Sequence, residues 1–197
     1  MKNVLIINGH QKYEGIAEGK LTEEYISKAN RYFIDNGFIV KNTHIDKGYD
    51  VEDEVGKFDW ADYILFQYPV YWMGLPWITK KYMDEIASAG AGTVTYINDG
   101  RSREDSSKKY GSGGLMTDKK YMLSLTYNCP ESEFNNKNGF FEGLSLDEVN
   151  YSVHKIFQFC GARKTDTYSV HDIFKGDLDL NFELDKFTKT LEKNFKG

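Results

Sequence analysis

Aromatic side chains concentrate in a turn-forming stretch, QYPVYWMGLPW, at residues 67–77. The large flat residues stand among prolines and a glycine, namely Tyr68, Tyr71, Trp72 and Trp77 beside Pro69, Gly74 and Pro76. Aromatic residues normally prefer strands and buried helix faces, whereas loops normally run over the surface. The stretch therefore predicts a loop that wraps a flat ligand, or else an aromatic cluster that closes the core or an oligomer interface.

A glycine-led helix start, GIAEGKLT at residues 15–22, contains residue types that bind phosphate. Gly19 and Lys20 stand where an amphipathic pattern begins, so free backbone N–H groups and a lysine are expected together. The spacing GxGxxG is absent, and Leu21 occupies the position where a P-loop needs serine or threonine to bind magnesium. The stretch predicts a phosphate cradle without magnesium, or an ordinary capped turn. His10, at the end of the preceding strand, is a further candidate ligand contact or a hydrogen-bonded structural residue.

A third stretch, TYNCP at residues 126–130, leaves a strand pattern and turns sharply at Pro130. Successive backbone N–H groups in such a turn can point at one acceptor and stabilise negative charge on it. Taken alone, the stretch is equally typical of an ordinary turn.

Alternating strand and helix patterns position these three loops. Apolar runs predict strands at residues 3–7, 38–46, 63–68, 120–126 and 164–170, with a weak strand-like piece at 93–97. Apolar periodicity and cap residues predict helices at residues 20–36, 51–60 (a helix or a turn), from Pro76 onward, 146–160 and 184–195. This alternation predicts one α/β domain over residues 1–197. Its expected form is a flavodoxin-like doubly wound sheet of five parallel strands in the order 2-1-3-4-5, with helices on both faces. In such sheets ligands bind beyond the carboxyl ends of the strands, where the three loops would meet.

Composition excludes several classes of protein. The chain of 197 residues has a net charge of −5 with interspersed charges and no polybasic run, which argues against a nucleic-acid or anionic-membrane partner. The first apolar run is too short for a signal peptide or a membrane span. Only Cys129 and Cys160 occur, in no CxxC pattern, so apolar filling is expected rather than a redox pair. Their scarcity favours a reducing cytoplasm.

Three stretches together resemble the bacterial modulator-of-drug-activity-B quinone reductases. They are FQYPVYWMGLPWITKKYMDE, NDGRSREDSSKKYGSGGL and KKYMLSLTYNCP, and the resemblance extends over nearly the whole chain. That family belongs to the flavodoxin-like NAD(P)H:quinone oxidoreductases, of which mammalian DT-diaphorase is a more distant member. The resemblance implies a homodimer that binds one FAD per subunit, with each flavin at the dimer interface.

The resemblance also implies which residues contact FAD. In the first loop these are Ala17, Glu18, Gly19, Lys20, Leu21 and Thr22, and His10 stands where the distant relative has a cofactor-contacting histidine. The ring contacts are Pro69, Val70, Tyr71, Trp72 and Met73, together with Thr126, Tyr127, Asn128 and Cys129. A further contact is Tyr110, which a turn at residues 111–114 would position.

One family feature has no counterpart in this sequence. The mammalian relative has a tyrosine and a histidine after the fourth strand, proposed as a proton relay. Residues 131–145 contain neither, and Phe134, Phe140 and Phe141 occur instead. Tyr127 is a possible substitute as a proton donor, against a stacking or packing role for the same side chain.

The expected activity is a ping-pong cycle in which the flavin carries the chemistry. NAD(P)H would give hydride to flavin N5 and leave, and a small quinone would then take two electrons in the same slot. Three rival interpretations remain. They are a flavin-binding ancillary subunit that regulates a potassium-efflux system, an azo- or nitro-reductase, and a flavin-free binding domain.

Overall fold

A single parallel sheet organises the molecule. The computed structural model describes residues 1–195. Its strands are β1 (Asn3–Asn8), β2 (Ile39–His44), β3 (Tyr63–Pro69), β4 (Lys120–Thr126), β5 (Arg163–Lys164) and β6 (Tyr168–Val170). The order is β2-β1-β3-β4, with β5 and β6 both pairing with the far side of β4. The predicted order 2-1-3-4-5 is confirmed, and all pairings are parallel.

The fifth strand is not the continuous segment 164–170 that the sequence predicts. It divides into β5 and β6 because the N–H of Asp166 leaves the sheet and donates to Asn194 Oδ1 in α6, at 3.2 Å. Thr165 directs both its N–H and its hydroxyl to the carbonyl oxygen of Tyr121, at 2.9 and 3.0 Å. The Thr167 hydroxyl donates to Asp147 Oδ1 at 2.6 Å. The pairing with β4 is therefore interrupted after Lys164 and resumes at Tyr168.

Within residues 1–195, six α-helices cover the sheet. They are α1 (Lys20–Asp35), α2 (Val51–Trp60), α3 (Trp77–Ala89), α4 (Leu146–Val149), α5 (Tyr151–Phe159) and α6 (Leu180–Asn194). Short 3₁₀ turns occupy Ile45–Lys47 and Glu131–Glu133. Pro76 is the residue that caps the start of α3, as its missing N–H predicts. None of the helices within residues 1–195 combines the length and the apolar character that crossing a membrane requires.

Two further predictions about secondary structure were wrong. The helix predicted over residues 146–160 breaks at Asn150, whose side chain donates to the carbonyl oxygen of Leu146 at 2.8 Å while bonding to two buried tyrosines. The strand-like piece at residues 93–97 forms only an isolated bridge between Tyr96 and Gly114. It belongs to the long connection between α3 and β4. Residues of this connection pair with one another and add no strand to the sheet.

The core has two halves, one on each face of the sheet. Alternate residues of β1, β3 and β4 contribute to each half, which explains their continuous apolar runs. On one face α2, α3 and α5 pack through residues such as Phe58, Tyr82 and Phe157. On the other face α1 and α6 pack through Phe33 and Phe187. This arrangement leaves the carboxyl ends of the strands free to carry functional loops.

Candidate functional site

A pocket of about 290 Å³ opens at the carboxyl end of β1, β3 and β4, and we call it the edge pocket. Its walls come from the loops after β1, β3, β4 and β6. The lining residues are His10, Ile16, Ala17, Glu18, Gly19, Lys20, Leu21, Thr22, Pro69, Val70, Tyr71, Thr126, Asn128, Ile173 and Phe174. Twelve of the seventeen residues predicted to contact a cofactor are in this set. The five predicted residues that do not line the pocket are Trp72, Met73, Tyr110, Tyr127 and Cys129.

The start of α1 forms the floor of the edge pocket. Gly19 caps the helix in a left-handed conformation, with φ of +85°, and supplies no side-chain cap. The first ladder bond of the helix runs from Glu23 N–H to Gly19 carbonyl oxygen, at 3.0 Å. Among residues 1–195 we find no acceptor for the N–H groups of Lys20, Leu21 and Thr22. Three free donors at the positive end of a helix are an anion-binding arrangement.

His10 supports this helix start from beneath. A Cβ on Gly19 would lie only 3.0 Å from His10 Cδ2, so the two residues are in close contact. His10 Nε2 lies 3.1 Å from the carbonyl oxygen of Ala17, and Nδ1 lies 3.5 Å from Thr22 Oγ1. Burial lowers the pKa of His10, so its imidazole is neutral at pH 7 and donates to Ala17. The side chain positions the loop and contributes no charge to it.

Acidic charge next to the phosphate cradle is neutralised locally. Glu18 lines the edge pocket, but its carboxylate bonds to Lys12 Nζ at 2.8 Å and to the N–H of Gly15 at 2.7 Å. These bonds lower the pKa of Glu18. Lys20 remains exposed at the start of α1 and adds a positive charge where an anion would lie.

The loop after β3 divides its aromatic residues between the pocket and the solvent. Tyr71 lines the edge pocket, and its hydroxyl donates to the carbonyl oxygen of Gln11 at 3.0 Å. Its ring meets that of Tyr13 edge-on, with 5.4 Å between centroids. Burial raises the pKa of Tyr71 to about 12, so its hydroxyl stays protonated. Tyr71 is therefore a neutral, flat wall of the pocket.

Trp72 and Met73 form the tip of a tight turn beyond Tyr71. Tyr71 and Gly74 exchange two backbone hydrogen bonds, of 2.8 and 3.1 Å. This closes the turn with φ of +47° at Trp72 and +68° at Met73. Positive φ is unusual for large residues, and here both central residues of the turn adopt it. Trp72 is 97% exposed, so the structure places its ring in solvent and away from the edge pocket of its own chain.

The loop after β4 contributes backbone donors and sends its tyrosine into the core. Thr126 and Asn128 line the edge pocket. The N–H of Tyr127 is bonded to the carbonyl oxygen of Val170 at 2.8 Å. Within residues 1–195 the N–H groups of Asn128 and Cys129 have no acceptor, and since only Asn128 lines the edge pocket, its N–H is the one available to a ligand there.

Tyr127 is 3% exposed and faces away from the edge pocket. Its hydroxyl accepts from Asn150 Nδ2 at 2.8 Å, and its ring stacks on His171 with 5.6 Å between centroids. Burial raises its pKa to about 12. These contacts are those of a packing residue, the alternative to a proton donor that the sequence left open.

Tyr110 lies outside the edge pocket, at the rim of an open groove of about 770 Å³ between α3, α5 and residues 96–111. Its ring packs against Phe159, with 5.5 Å between centroids, and the guanidinium of Arg101 lies 5.7 Å from its centre. The turn lies at residues 109–112, closed by the bond from Ser112 N–H to the carbonyl oxygen of Lys109 at 3.2 Å, and not at residues 111–114 as predicted. Within one chain, however, the structure does not bring Tyr110 to the other predicted contacts.

Sequence reasoning missed three lining residues, namely Ile16, Ile173 and Phe174. Ile16 adjoins the predicted phosphate cradle and carries only an exposed apolar side chain. Ile173 and Phe174 belong to the loop after β6, which no motif singled out. The alternating pattern could have suggested this loop, because every loop at the carboxyl end of a parallel sheet is a candidate wall.

The residues of the edge pocket fit a phosphorylated flat ligand such as a flavin nucleotide. Three free N–H groups and Lys20 suit a phosphate, while Tyr71 presents a flat neutral wall. The free N–H group of Asn128 suits the polar edge of a ring that gains negative charge on reduction.

Comparisons with known proteins agree with the fold. A family model described as having the flavodoxin-like fold matches residues 2–195. The NADPH:quinone oxidoreductase MdaB of Haemophilus influenzae is 39% identical over 193 residues, which cover 98% of this chain and 99% of that protein.

Solved structures of lower identity share the fold. A Klebsiella pneumoniae protein assigned as a quinone reductase superposes with a TM-score of 0.77 at 17% identity, covering 98% of this chain and 85% of that one. General stress protein 14 of Treponema denticola, in complex with FMN, gives 0.68 at 14% identity and covers 98% and 99%. A Bacillus anthracis azoreductase gives 0.64 at 17% identity and covers 98% and 100%. With its sheet order, its edge pocket and its MdaB relative, the chain belongs to the flavodoxin-like family that includes the modulator-of-drug-activity-B quinone reductases.

Proposed function

We propose that this protein is an NAD(P)H:quinone oxidoreductase that holds a flavin in the edge pocket. The observation that carries the proposal is the convergence of free backbone N–H groups on a pocket with an aromatic wall. They come from Lys20, Leu21 and Thr22 on one side and from Asn128 on another. The activity of the H. influenzae relative supports the same conclusion.

The flavin supplies hydride chemistry when bound, accepting two electrons from a nicotinamide and passing them to a quinone. The N–H groups at the start of α1 bind its phosphate. Tyr71 orients the ring by contact, and its hydroxyl is kept protonated by burial. The N–H group of Asn128 would hold the ring's polar edge and would favour negative charge on it. No side chain is required as a nucleophile.

We propose FAD as the flavin, although a structural neighbour binds FMN. The loop between β1 and α1, residues 9–19, is long and folds into its own small hairpin through a bridge between Tyr13 and Ala17. A loop of this size offers more contact surface than a short phosphate turn, which suits a dinucleotide.

We further propose a homodimer in which each flavin lies at the interface, formed by one domain per chain over residues 1–197. Exposed aromatic residues support it, since large apolar side chains on a surface mark interaction sites. Trp72 is 97% exposed and Tyr110 is 69% exposed, and neither reaches the edge pocket of its own chain. A partner would cover them and could bring them to a shared slot. Sedimentation velocity on the purified protein should show a dimer, and a monomer that binds flavin fully would contradict this arrangement.

Two other candidates share the cofactor and differ in role. An azoreductase is favoured by the fold shared with the B. anthracis enzyme, and would transfer the same electrons to an azo compound. A regulatory subunit of a potassium-efflux system would bind flavin but turn over quinone slowly. We propose the quinone reductase because MdaB, at 39% identity over almost the whole chain, carries that activity. A reducing cytoplasm is the proposed location, and both cysteines are free thiols in the structure.

An absorbance experiment tests the function. The purified protein is reconstituted with FAD, and its spectrum is recorded before and after addition of NADPH and then menadione. We expect the flavin absorbance to bleach with NADPH and to return with the quinone. Reduction without reoxidation by the quinone would redirect the assignment to an azo acceptor or a regulatory role. Failure to bind any flavin would refute the proposal.

A further inference from the structure

Four polar side chains form a row across the sheet, on the face that α1 and α6 cover. They are register partners in the neighbouring strands β1, β3, β4 and β6, and we call them the polar row: Asn8, Gln67, Ser124 and Tyr168. All four are buried, with exposed fractions of 3% or less. Polar side chains at this depth normally have hydrogen-bond partners, so the partners of each member can be traced in turn.

The polar row lies one layer beneath the edge pocket. Pro69 and Thr126 come two positions later in β3 and β4, and both line that pocket. Residues two apart in a strand point to the same face and are separated by roughly 6–7 Å. Two positions before the row, the same face carries the apolar side chains of Leu65 and Met122. The polar row is therefore a thin layer between the pocket and the apolar core.

The two ends of the polar row are hydrogen-bonded to the helices that cover it. Asn8 Nδ2 donates to Glu23 Oε1 at 3.0 Å. The hydroxyl of Tyr168 lies 3.0 Å from that of Tyr25 and donates to Glu183 Oε2 at 2.8 Å. Because Glu23 and Tyr25 both belong to α1, the row is attached at each end to the helix whose start forms the phosphate cradle.

The two central members of the polar row have no hydrogen-bond partner among residues 1–195. Both Oε1 and Nε2 of Gln67 are unbonded, as is Oγ of Ser124. Exchanging the oxygen and the nitrogen of the amide does not change this, because neither atom has a partner. Of the four such buried side-chain atoms in the described part of the chain, these are three. An unbonded buried polar atom is costly, so three on neighbouring strands indicate a bound ligand that satisfies them.

We propose that a water molecule binds between Gln67 and Ser124 and completes the polar row. The amide and the hydroxyl each offer a donor and an acceptor, and a buried water typically makes about three hydrogen bonds to such groups. Neither side chain is charged, so an ion buried between them would lack the charged partner that it needs. The water links β3 to β4 beneath the edge pocket and touches no ligand in that pocket. The inference is therefore independent of the proposed function.

A crystal structure of the full-length protein, with any bound flavin retained, tests the inference directly. At a resolution that shows ordered water, we expect a water within about 3.2 Å of Ser124 Oγ and of one amide atom of Gln67. Gln67→Met keeps nearly the same side-chain length and removes both hydrogen-bonding atoms, so its crystal structure should lack this water. A direct hydrogen bond between the two side chains, or no water between them in the unaltered protein, would overturn the inference.

Urea unfolding measures the same site in solution through a double-mutant cycle. Gln67→Met and Ser124→Ala each remove one partner of the water and leave the other, so each should raise the equilibrium constant of unfolding about fivefold or more. The double variant should raise it by less than the product of the two factors, because both changes remove bonds to one water. Stabilisation by Gln67→Met would show that the amide is unsatisfied in the native protein. Factors that simply multiply would show that the two side chains share no ligand.

Thr95→Val is the matched control. Thr95 is also buried, at 1% exposed, but its hydroxyl donates directly to the carbonyl oxygen of Ala87 at 2.8 Å, on the other face of the sheet. In combination with Gln67→Met its factor should multiply, as is usual for independent sites. Coupling between these two changes as strong as that between Gln67→Met and Ser124→Ala would contradict a water held locally by the polar row.

Discussion

Replacing Gly19 with alanine tests whether the phosphate cradle depends on close packing against His10. Gly19 has φ of +85°, and a Cβ there would lie 3.0 Å from His10 Cδ2 and 3.2 Å from Nε2. The left-handed conformation costs an alanine about 1–2 kcal/mol. Displacing the buried imidazole of His10 should add about 1 kcal/mol to this cost, which is the lower end of the usual cost of overpacking a core. The free energy of unfolding should therefore fall by about 2–3 kcal/mol.

Gly37→Ala separates the two contributions. Gly37 follows the other end of α1 with φ of +79°, and nothing lies within 4 Å of a Cβ placed on it. Alanine there has the conformational cost alone, about 1–2 kcal/mol. The difference between the two variants in urea unfolding therefore measures the contact with His10. For a chain of this size, each kcal/mol corresponds to a fall in Tm of roughly 2–4 °C.

Flavin affinity gives the second measurement. A displaced His10 shifts the loop that bears the free N–H groups, and loss of one charge-assisted hydrogen bond to phosphate weakens binding roughly tenfold or more. Gly19→Ala should lose that affinity, and Gly37→Ala should retain it. If the two variants unfold at the same urea concentration and bind flavin equally, the reasoning about the cradle is refuted.

Two further predictions concern stability. Asn150→Ala removes the hydrogen bonds to the buried hydroxyls of Tyr68 and Tyr127, at 3.2 and 2.8 Å. Because these buried hydroxyls would lose a hydrogen-bond partner, the free energy of unfolding measured by urea titration should fall by about 3 kcal/mol. A fall of less than about 1 kcal/mol would show that the hydrogen bonds of Asn150 do not stabilise the fold. The second prediction concerns pH, since burial lowers the pKa of both His10 and His171 from the ordinary value of 6.5. Below that value the unfolded chain binds more protons than the native one, so stability should fall as the pH drops from 7.5 to 5.5. Unfolding curves that coincide at the two pH values would show that these imidazoles are not held neutral.

Local pattern predicted most of the architecture, for a physical reason. Strands covered on both faces need apolar residues throughout, and helices covered on one face need them at every third or fourth position. These requirements act within a few residues, so β1, β3, β4 and α1 could be predicted within one or two positions of their bounds. The alternation of strands and helices predicted a parallel sheet with helices on both faces, and the order 2-1-3-4-5 is the form expected for five such strands when the first is central.

Pairing between distant residues decided what the pattern could not. The break at Asn150 involves its bond to Tyr68, and the division of the fifth strand involves the bond from Asp166 to Asn194, and both partners lie far away in the chain. The spacing of apolar residues in a sequence does not indicate which distant residues will form hydrogen bonds with one another.

The candidate site, like the fold, was determined partly by local sequence and partly by contacts between distant residues. The sequence alone determined that the loops after strands one, three and four carry phosphate-binding and aromatic residue types, and twelve of its predicted contacts do meet in one pocket. Only the tertiary structure decided which way each side chain faces. In the structure Tyr127 is buried in the core, Trp72 is exposed to solvent, and Phe174 lines the pocket although its loop contains no recognisable motif. Residue type is a local property, whereas orientation follows from packing against elements that the chain reaches only after folding.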